Sequence, residues 1–276
     1  MRRQDYTVGW ICALQMEYVA AWELLEEEHS SSPIDSPYND NNYTFGRIGD
    51  HHIVIVCFPK GRYGITSVVS VTKDMLLSFE FIRIGLMIGI GEGAPSGKHS
   101  IRLGDVVIDC LMKKKGSVVP YNFDKAVQNR EFERTGSLNS PPTVLLTSLT
   151  KLSADHERKG NHIAQSVRLI MTKNPRLREK YQHAGAKHDR LYESSYIHRG
   201  GDDKCEIDCD NISPPLVRRP WRELDLDEPV MHYGPVASAL FPRRWANGSI
   251  SGTPFHKWRF CLVQGLCTRY LRNSAI

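Results

Sequence analysis

The chain has 276 residues, of which 41% are hydrophobic, so it is long enough for one large α/β domain or two smaller ones with a sizeable core. Its net charge of +5 is mild and its basic residues are scattered, apart from residues 113–115 and an arginine-rich C-terminal segment, which disfavours a nucleic-acid-binding protein. No apolar run reaches the about 20 residues that cross a membrane, and the apolar segment after the N-terminus meets Gln15 and Glu17 too early for a signal peptide.

The seven cysteines are an odd number, and three of them fall in predicted strands. This distribution is typical of reduced, buried thiols. We therefore expect a cytoplasmic protein without disulfides and without a membrane partner.

The first 60 residues predict a strand, a helix, a loop and a hairpin. Residues 6–14 form an apolar run rich in β-branched and aromatic residues, which predicts a buried strand. Residues 15–28 follow as an amphipathic helix, and a cluster of Ser, Pro, Asn and Asp at 29–42 predicts a loop. Residues 43–58 then read as two strands around a turn at Gly49 and Asp50. The predicted apolar face of the helix consists of Met16, Val19, Ala20 and Leu24.

Beyond the hairpin, the pattern indicates an α/β fold with a largely buried sheet. A helix is predicted over 65–79, and two buried strands over 82–91 and 104–111. The composition becomes polar and charged over about 117–228, with helical periodicity at 142–160 and 163–173. A weaker core signal returns at 229–239 and 259–267. The apolar positions of the helix at 65–79 are Val68, Val71, Met75 and Leu76.

A glycine-rich turn, G-x-G-x-G, is predicted at the end of the strand at 82–91 and contains Gly89, Gly91 and Gly93. Such a loop lets backbone N–H groups approach an anion or a polar ligand. The spacing differs from the dinucleotide pattern G-x-G-x-x-G, because Pro95 and Gly97 follow where a helix should begin. A bend that lets two strands pack closely explains the same glycines, and both readings stay open.

Several ordered motifs together carry a family resemblance. They include "DYTVGWICALQMEYVAA", "KGRYGITSVVSV", "IRIGLMIGIGEGAPSGKHSIRLGDVVI", "HDRLYESSYIH" and "PVMHYGPVASA". The chain resembles the nucleoside phosphorylase-like domain of the purine and uridine phosphorylase superfamily, and in particular the fungal branch found ahead of NACHT, ankyrin or tetratricopeptide regions in receptor-like proteins. The likeness covers residues 5–239, with a charge-rich insertion at about 117–228 and a divergent basic tail at 240–276.

The resemblance implies a three-layer α/β/α fold around a central mixed, partly barrel-like sheet. It also implies binding of a nucleoside and cleavage of its N-glycosidic bond, by phosphate or by water. In the nucleosidase branch a Glu after the first strand orients the attacking water, and the matching position here is Glu17, our candidate catalytic residue. The alternative is that Glu17 is one more acidic residue favoured near a helix N-terminus.

Phosphate is poorly supported as the nucleophile. The place of the family's phosphate-binding arginine before the glycine loop is held by Met87 or Ile88, and a carboxylate at Glu92 would repel an anion. The turn at 60–67 faces the nucleophile and sugar in the superfamily, although its charges could equally be ordinary surface charges. The resemblance therefore implies a substrate-binding set of Lys60, Gly61, Arg62, Gly64, Thr66, Ser67, Gly89, Ile90, Gly91, Glu92 and Gly93.

Other polar residues predict structure rather than chemistry. Asp105 in "RLGDVVI" is expected to bind local backbone N–H groups. Cys205 and Cys209, with His198 nearby, supply half of a tetrahedral zinc site, so we expect no metal and no cofactor.

The residues that complete the family's pocket are missing after Ala239. No Met-Glu pair, which grips the ribose, occurs there, and Thr268 stands where the family has the Asp that protonates the base. Loss of a general acid costs about 10² to 10⁴ in rate. We therefore expect weak or absent catalysis, with a non-catalytic nucleoside-sensing or interaction module as the alternative; the superfamily also implies a homo-oligomer.

Overall fold

An eight-stranded mixed β-sheet organises the computed structural model. The structure describes residues 1–30, 39–91, 100–110, 118–120, 141–181, 189–191, 193, 216–219, 222, 229–234, 236–238 and 260–267. The strands of this sheet are β1 (Val8–Cys12), β2 (Glu27–His29), β3 (Tyr43–Ile48), β4 (His51–Cys57), β5 (Ile84–Gly91), β6 (Val106–Asp109), β8 (Met231–Gly234) and β10 (Phe260–Cys267). Two further short strands, β7 (Val118–Pro120) and β9 (Val236–Ser238), pair with each other in parallel.

Five helices accompany the strands in the described residues. They are α1 (Gln15–Glu23), α2 (Ile65–Ser78), α3 (Thr143–Lys159), α4 (Ile163–Lys173) and α5 (Pro175–Tyr181). None of these helices is long and apolar enough to cross a membrane.

The sheet places the ends of three parallel strands at one edge. The strand order is β2-β3-β4-β1-β5-β10-β6-β8. Strand β1 lies in the middle of a parallel trio, with β4 on one side and β5 on the other. Strands β10, β6 and β8 run in the opposite direction to this trio, since β10 is antiparallel to β5 and parallel to β6. The carboxyl ends of β4, β1 and β5 therefore meet at one edge, which we call the carboxyl edge.

Helices cover both faces of the parallel trio. On one face, Ile11, Val54 and Val56 pack in a core cluster with Val71 and Met75 of α2. On the other face, Trp10, Cys12 and Ile55 pack with Ala21 of α1. The predicted α/β fold with a central mixed sheet between helical layers is thus confirmed.

The hairpin and three of the helices lie where the sequence predicts them. Strands β3 and β4 pair around the turn at Gly49 and Asp50. Helix α2 buries Val71, Met75 and Leu76, as its periodicity requires, and helices α3 and α4 occupy the two predicted helical segments. Helix α5 was not predicted.

The prediction for residues 15–28 is wrong in two respects. Helix α1 ends at Glu23, and Glu27–His29 forms β2, which pairs with β3. The buried residues of α1 are Glu17 and Ala21, whereas Met16 and Leu24 of the predicted apolar face are 37% and 42% exposed. The spacing of apolar residues predicts the wrong face because the side chain that is buried, Glu17, is polar.

Strand β10 brings part of the C-terminal segment into the sheet. Its backbone lies between β5 and β6, with Phe260 opposite Gly91 and Cys267 opposite Ile84. The end of β10 that precedes Thr268 is therefore at the opposite end of β5 from the carboxyl edge. Seven residue steps of strand separate Ile84 from Gly91, which is about 23 Å.

Gly46 offers a test of the packing between β2 and β3. A Cβ atom there would lie 2.5 Å from the backbone oxygen of Glu27 and 2.6 Å from Cδ1 of Leu25. We expect Gly46→Ala to lower the free energy of unfolding by about 1–3 kcal/mol, because the backbone of β2 must shift. Urea denaturation monitored by circular dichroism measures the change.

The matched control is Gly234→Ala in β8, where nothing lies within 4 Å of the added carbon. Its effect should stay within about 0.5 kcal/mol. Equal stability of the Gly46→Ala variant and the wild type would contradict the close approach of β2 and β3.

Candidate functional site

The candidate site lies at the carboxyl edge, where two neighbouring strands send the chain to opposite faces of the sheet. Strand β1 leads into α1 on one face, and its neighbour β4 leads into α2 on the other. The backbone N–H of Phe58 donates to the carbonyl of Cys12 at 3.0 Å, so the two strands stay paired up to their ends. In open α/β sheets, ligands bind outside the carboxyl ends of the strands at such a switch in connection.

Glu17 connects three backbone segments at this edge. Its Oε2 accepts hydrogen bonds from the N–H groups of Ala13 at 2.7 Å and Leu14 at 2.8 Å, where β1 turns into α1. Its Oε1 accepts a third from the N–H of Ile90, at 2.7 Å, near the end of β5. The residue is only 8% exposed. The carboxylate both caps the N-terminus of α1, where negative charge is favoured, and ties that helix to the glycine-rich end of β5.

Gly89 must be a glycine because of this contact. A Cβ atom at this position would lie 2.7 Å from Oε1 of Glu17 and 3.0 Å from its carboxyl carbon. The first glycine of the predicted loop therefore serves close packing against a carboxylate. Gly89 and Gly91 thus lie in β5 and not in a loop, and the close packing at Gly89 is against a side chain and not against a second strand.

Cys57 lies close to Glu17, and Tyr18 packs on the same face of the sheet as Cys57. Burial raises the pKa of the Cys57 thiol, and the Glu17 carboxylate raises it further. Burial likewise raises the pKa of Tyr18, whose hydroxyl shares a hydrogen bond with Thr44. Both groups are thus neutral near pH 7.

The predicted turn between β4 and α2 is exposed at the same edge. Gly61 and Gly64 adopt φ values of +81° and +97°, in the left-handed region that favours glycine. Lys60, Arg62 and Thr66 are exposed, and Ser67 is half-buried. Gly64 immediately precedes α2, so the free N–H groups of that helix begin here.

The structure thus brings Glu17, Gly89 and Ile90 into direct contact, and it places the turn at 60–67 at the end of the neighbouring strand. Gly91 is the last residue of β5. Glu92 and Gly93, together with Cys205, Cys209, His198 and Thr268, lie outside the described residues. Within the described residues, no group of three or more His, Cys, Asp or Glu side chains could hold a metal ion.

A second polar cluster surrounds Asp105, which is 1% exposed. Its carboxylate accepts both terminal N–H groups of Arg222, at 2.8 and 2.9 Å, and lies 2.8 Å from Nε2 of His232. The backbone N–H groups of Arg102 and Val230 donate to the same carboxylate, at 2.8 and 3.0 Å. The predicted bond to local backbone is confirmed by Arg102, whereas the partners at 222, 230 and 232 were not predicted.

This cluster joins motifs that are far apart in the sequence. Asp189 of "HDRLYESSYIH" accepts a hydrogen bond from the N–H of Leu103 and forms an ion pair of 2.9 Å with Arg219. Asp105 of "RLGDVVI" meets His232 of "VMHYG", so β6 and β8 are bonded side by side. Arg219 and Arg222, which lie between β6 and β8 in the sequence, are thus held near the start of β6 by ion pairs with Asp189 and Asp105.

The pKa of Asp105 follows from these bonds. Burial by itself would raise it, but the hydrogen bonds from His232, Arg222 and the two backbone N–H groups outweigh burial and hold the pKa well below its usual range. The charged form is therefore the stable one in the folded chain.

Replacing Glu17 tests the link between α1 and β5. A glutamine at this position presents an NH₂ group to at least one of the three backbone donors, so a buried N–H loses its acceptor. We expect Glu17→Gln to lower the free energy of unfolding by about 1–3 kcal/mol in urea denaturation. Glu28→Gln is the control, because Glu28 is exposed and accepts one bond from Trp22 that an amide oxygen can still accept. Equal effects of the two substitutions would contradict the structural role of Glu17.

Asp105 gives a prediction of pH dependence. Because its folded pKa lies below the unfolded value of about 3.9, the unfolded chain takes up the proton first as the pH falls. The stability that Asp105 contributes is complete above that value and is lost below it. We expect Asp105→Asn to cost about 3 kcal/mol at pH 7, since Arg222 loses its partner.

The free energy of unfolding of both proteins, measured from pH 7 to pH 3, checks this prediction. The difference between wild type and Asp105→Asn should shrink as the pH falls below about 4. A difference that stays constant over this range would show that the Asp105 carboxylate is not the group responsible.

Comparisons with known proteins give one sequence relative and several structural neighbours. No protein-family model matches the chain. The chain is similar to a nucleotide-binding leucine-rich repeat (NLR)-like protein of Hyaloscypha variabilis, at 42% identity over 166 residues, and the match covers 59% of this chain but only 16% of that relative. Among solved structures it is similar to a futalosine hydrolase mutant of Helicobacter pylori, with a TM-score of 0.43, 10% identity, and coverage of 98% of this chain and 93% of that one. It is also similar to the 5'-methylthioadenosine/S-adenosylhomocysteine nucleosidase of Helicobacter pylori, with a TM-score of 0.38, 12% identity and 85% coverage of both chains.

Proposed function

We propose that this chain binds a nucleoside at the carboxyl edge, and that its chemistry is cleavage of the N-glycosidic bond by water. The observation that carries the proposal is the position of Glu17. Its carboxylate lies where β1, α1 and the end of β5 meet, and it contacts Gly89 and Ile90 of the glycine-rich segment. Two motifs that the family resemblance assigns to one pocket are thus in contact.

Among the described residues, three hydrogen-bond donors to Glu17 leave one acceptor position of its carboxylate unfilled. A carboxylate has about four acceptor positions, and backbone N–H groups fill three of them. The remaining position, on Oε1, can accept one O–H of a water. In the proposed reaction this water attacks the anomeric carbon of the sugar, and Glu17 accepts its proton. The three backbone bonds hold the carboxylate in one orientation, which favours a well-positioned nucleophile.

Water is favoured over phosphate by the residues that precede Gly89. Met87 and Ile88 are apolar, and they pack against the two core clusters on opposite faces of the sheet. Neither can neutralise a phosphate. Lys60 and Arg62 are the described cations nearest in sequence to the end of β4, and both are exposed to solvent.

The same chain has features that predict slow catalysis or none. No Met-Glu pair and no acidic residue occur after Ala239. The backbone of β10 ends opposite Ile84 and not at the carboxyl edge. A departing base would therefore lack the acid that the family supplies after this strand, and loss of a general acid costs about 10² to 10⁴ in rate.

The second candidate is a non-catalytic module that binds a nucleoside through the same fold. It is favoured by the bonding of Glu17, because capping α1 and anchoring β5 already explain why the carboxylate is there. The NLR-like relative supports this candidate as well, since the match covers a small part of a much longer protein whose name describes nucleotide binding and leucine-rich repeats.

One experiment separates the two candidates. The purified chain is incubated with adenosine, inosine, uridine and methylthioadenosine, with and without phosphate, and free base is measured by liquid chromatography while binding is measured by calorimetry. We expect binding of at least one nucleoside and slow base release that does not require phosphate. Release that depends on phosphate would contradict water as the nucleophile.

Binding without base release would favour the non-catalytic module, and the absence of both would reject nucleoside recognition altogether. Where release is seen, Glu17→Gln should abolish it at a temperature at which circular dichroism shows the variant folded. The matched control Glu28→Gln should release base at the rate of the wild type.

A further inference from the structure

Two cysteines face each other at the carboxyl ends of neighbouring strands. In the parallel pairing of β1 with β4, Cys12 is the direct partner of Cys57. Both belong to the core cluster on the α1 face of the sheet, so their side chains point to the same side. Both carry thiols in this structure. The proposed function uses neither of them.

The separation of the strands suits a disulfide that is somewhat strained. Neighbouring strands lie about 4.8 Å apart, whereas the Cβ atoms of a disulfide lie about 3.5–4.5 Å apart. The two strand ends must therefore approach by about 0.3–1.3 Å. Strain of this kind makes a disulfide easier to reduce and is typical of labile rather than permanent bridges.

The two thiols differ in access. Cys12 is completely buried, and Cys57 is partly exposed. A small oxidant therefore meets Cys57 first, and Cys12 is the neighbouring thiol that can react with the oxidised product. A partly exposed cysteine beside a second, resolving cysteine is the arrangement that limits oxidation to a reversible product.

We propose that Cys12 and Cys57 are a peroxide-oxidisable pair that forms a reversible disulfide across the ends of β1 and β4. The Cys57 sulfur attacks one oxygen of hydrogen peroxide, the O–O bond breaks, and water leaves after hydroxide takes up the thiol proton. The sulfur is thereby oxidised to sulfenic acid. The Cys12 sulfur then attacks the Cys57 sulfur, the S–O bond breaks, and a second water leaves with the Cys12 proton. Two thiols and one peroxide give one disulfide and two waters.

The bridge would act on the candidate site through the backbone. Cys12 is followed by Ala13, whose N–H donates to Glu17, and Cys57 is followed by Phe58, whose N–H donates to the carbonyl of Cys12. Drawing the two strand ends together therefore moves the segment that holds Glu17. The Glu17 charge and burial raise the pKa of Cys57, so the thiol is largely protonated at neutral pH and its oxidation is slow.

The test needs no nucleoside and is therefore independent of the proposed function. The native full chain is treated with hydrogen peroxide, the remaining thiols are blocked with N-ethylmaleimide, and the chain is digested without reduction. Cleavage after Arg47 separates Cys12 from Cys57, so mass spectrometry detects a bridge as a linked pair of peptides. We expect the loss of two of the seven thiols, a linked pair containing Cys12 and Cys57, and the return of both thiols with dithiothreitol.

Variants distinguish the pair from its alternatives. In Cys12→Ser, Cys57 has no resolving partner and should proceed to the sulfinic acid, which dithiothreitol does not reverse. Cys110→Ser is the matched control, because Cys110 is also a partly exposed thiol whose pKa burial raises; the linked pair should form in it unchanged.

The wild-type measurement decides the matter even where a variant fails to fold. A linked pair through other cysteines, such as Cys205 with Cys209, without the Cys12–Cys57 pair would overturn the proposal. So would sulfinic acid on Cys57 of the wild type while Cys12 remains a thiol, or seven intact thiols after treatment.

Discussion

A buried carboxylate that accepts three backbone N–H groups organises the carboxyl edge of this sheet. Glu17 holds the first turn of α1, the end of β1 and the end of β5 through bonds of 2.7–2.8 Å. Burying a charge is costly unless hydrogen bonds compensate it, so the three donors and the carboxylate depend on one another. The glycine at 89 follows from the same contact, since any larger residue would displace the carboxylate. The connection of β1 to one face of the sheet and of β4 to the other places this bonded carboxylate where α/β folds bind their ligands.

A second buried carboxylate, that of Asp105, joins separate parts of the chain at the other side of the sheet, beside β6 and β8. Asp105 binds Arg222, His232 and two backbone N–H groups, and thereby fastens β8 to β6. The chain between these strands is polar and rich in charge, and its described helices bury no residue fully. Among the described residues of this segment, Arg219 and Arg222 are held by ion pairs to Asp189 and Asp105, whereas α2 is held by its buried apolar residues. Removing one partner of such a cluster leaves a buried charge behind, which makes the whole attachment sensitive to a single substitution.

The parts of the fold that follow from periodicity could be predicted, and the parts that follow from polar burial could not. The strands β3 and β4 and the helices α2 and α4 have apolar residues at regular spacing, and they lie where that spacing predicts. The face of α1 was predicted wrongly because Glu17 points inward, and β2 was missed because Glu27–His29 are polar residues on a short edge strand. The side-chain partners of Asp105 lie more than 100 residues away in the sequence, and no local pattern indicates them. The pairing of Cys12 with Cys57 likewise depends on the register of two strands.

Glu17 has a structural role in this sheet and a catalytic role in the proposed function, and the two roles place different demands on its carboxylate. A carboxylate that only caps a helix needs one or two backbone donors, and an exposed side chain suffices. Glu17 instead takes a third donor from a strand 73 residues away and is buried beside the glycine-rich end of β5. That extra bond fixes the carboxylate at the strand ends, which is what positioning of a water requires, and it leaves one acceptor position for that water. The cap on α1 and the anchor to β5 stabilise the sheet without any chemistry. The proposed cleavage therefore needs, besides Glu17, a group that protonates the departing base.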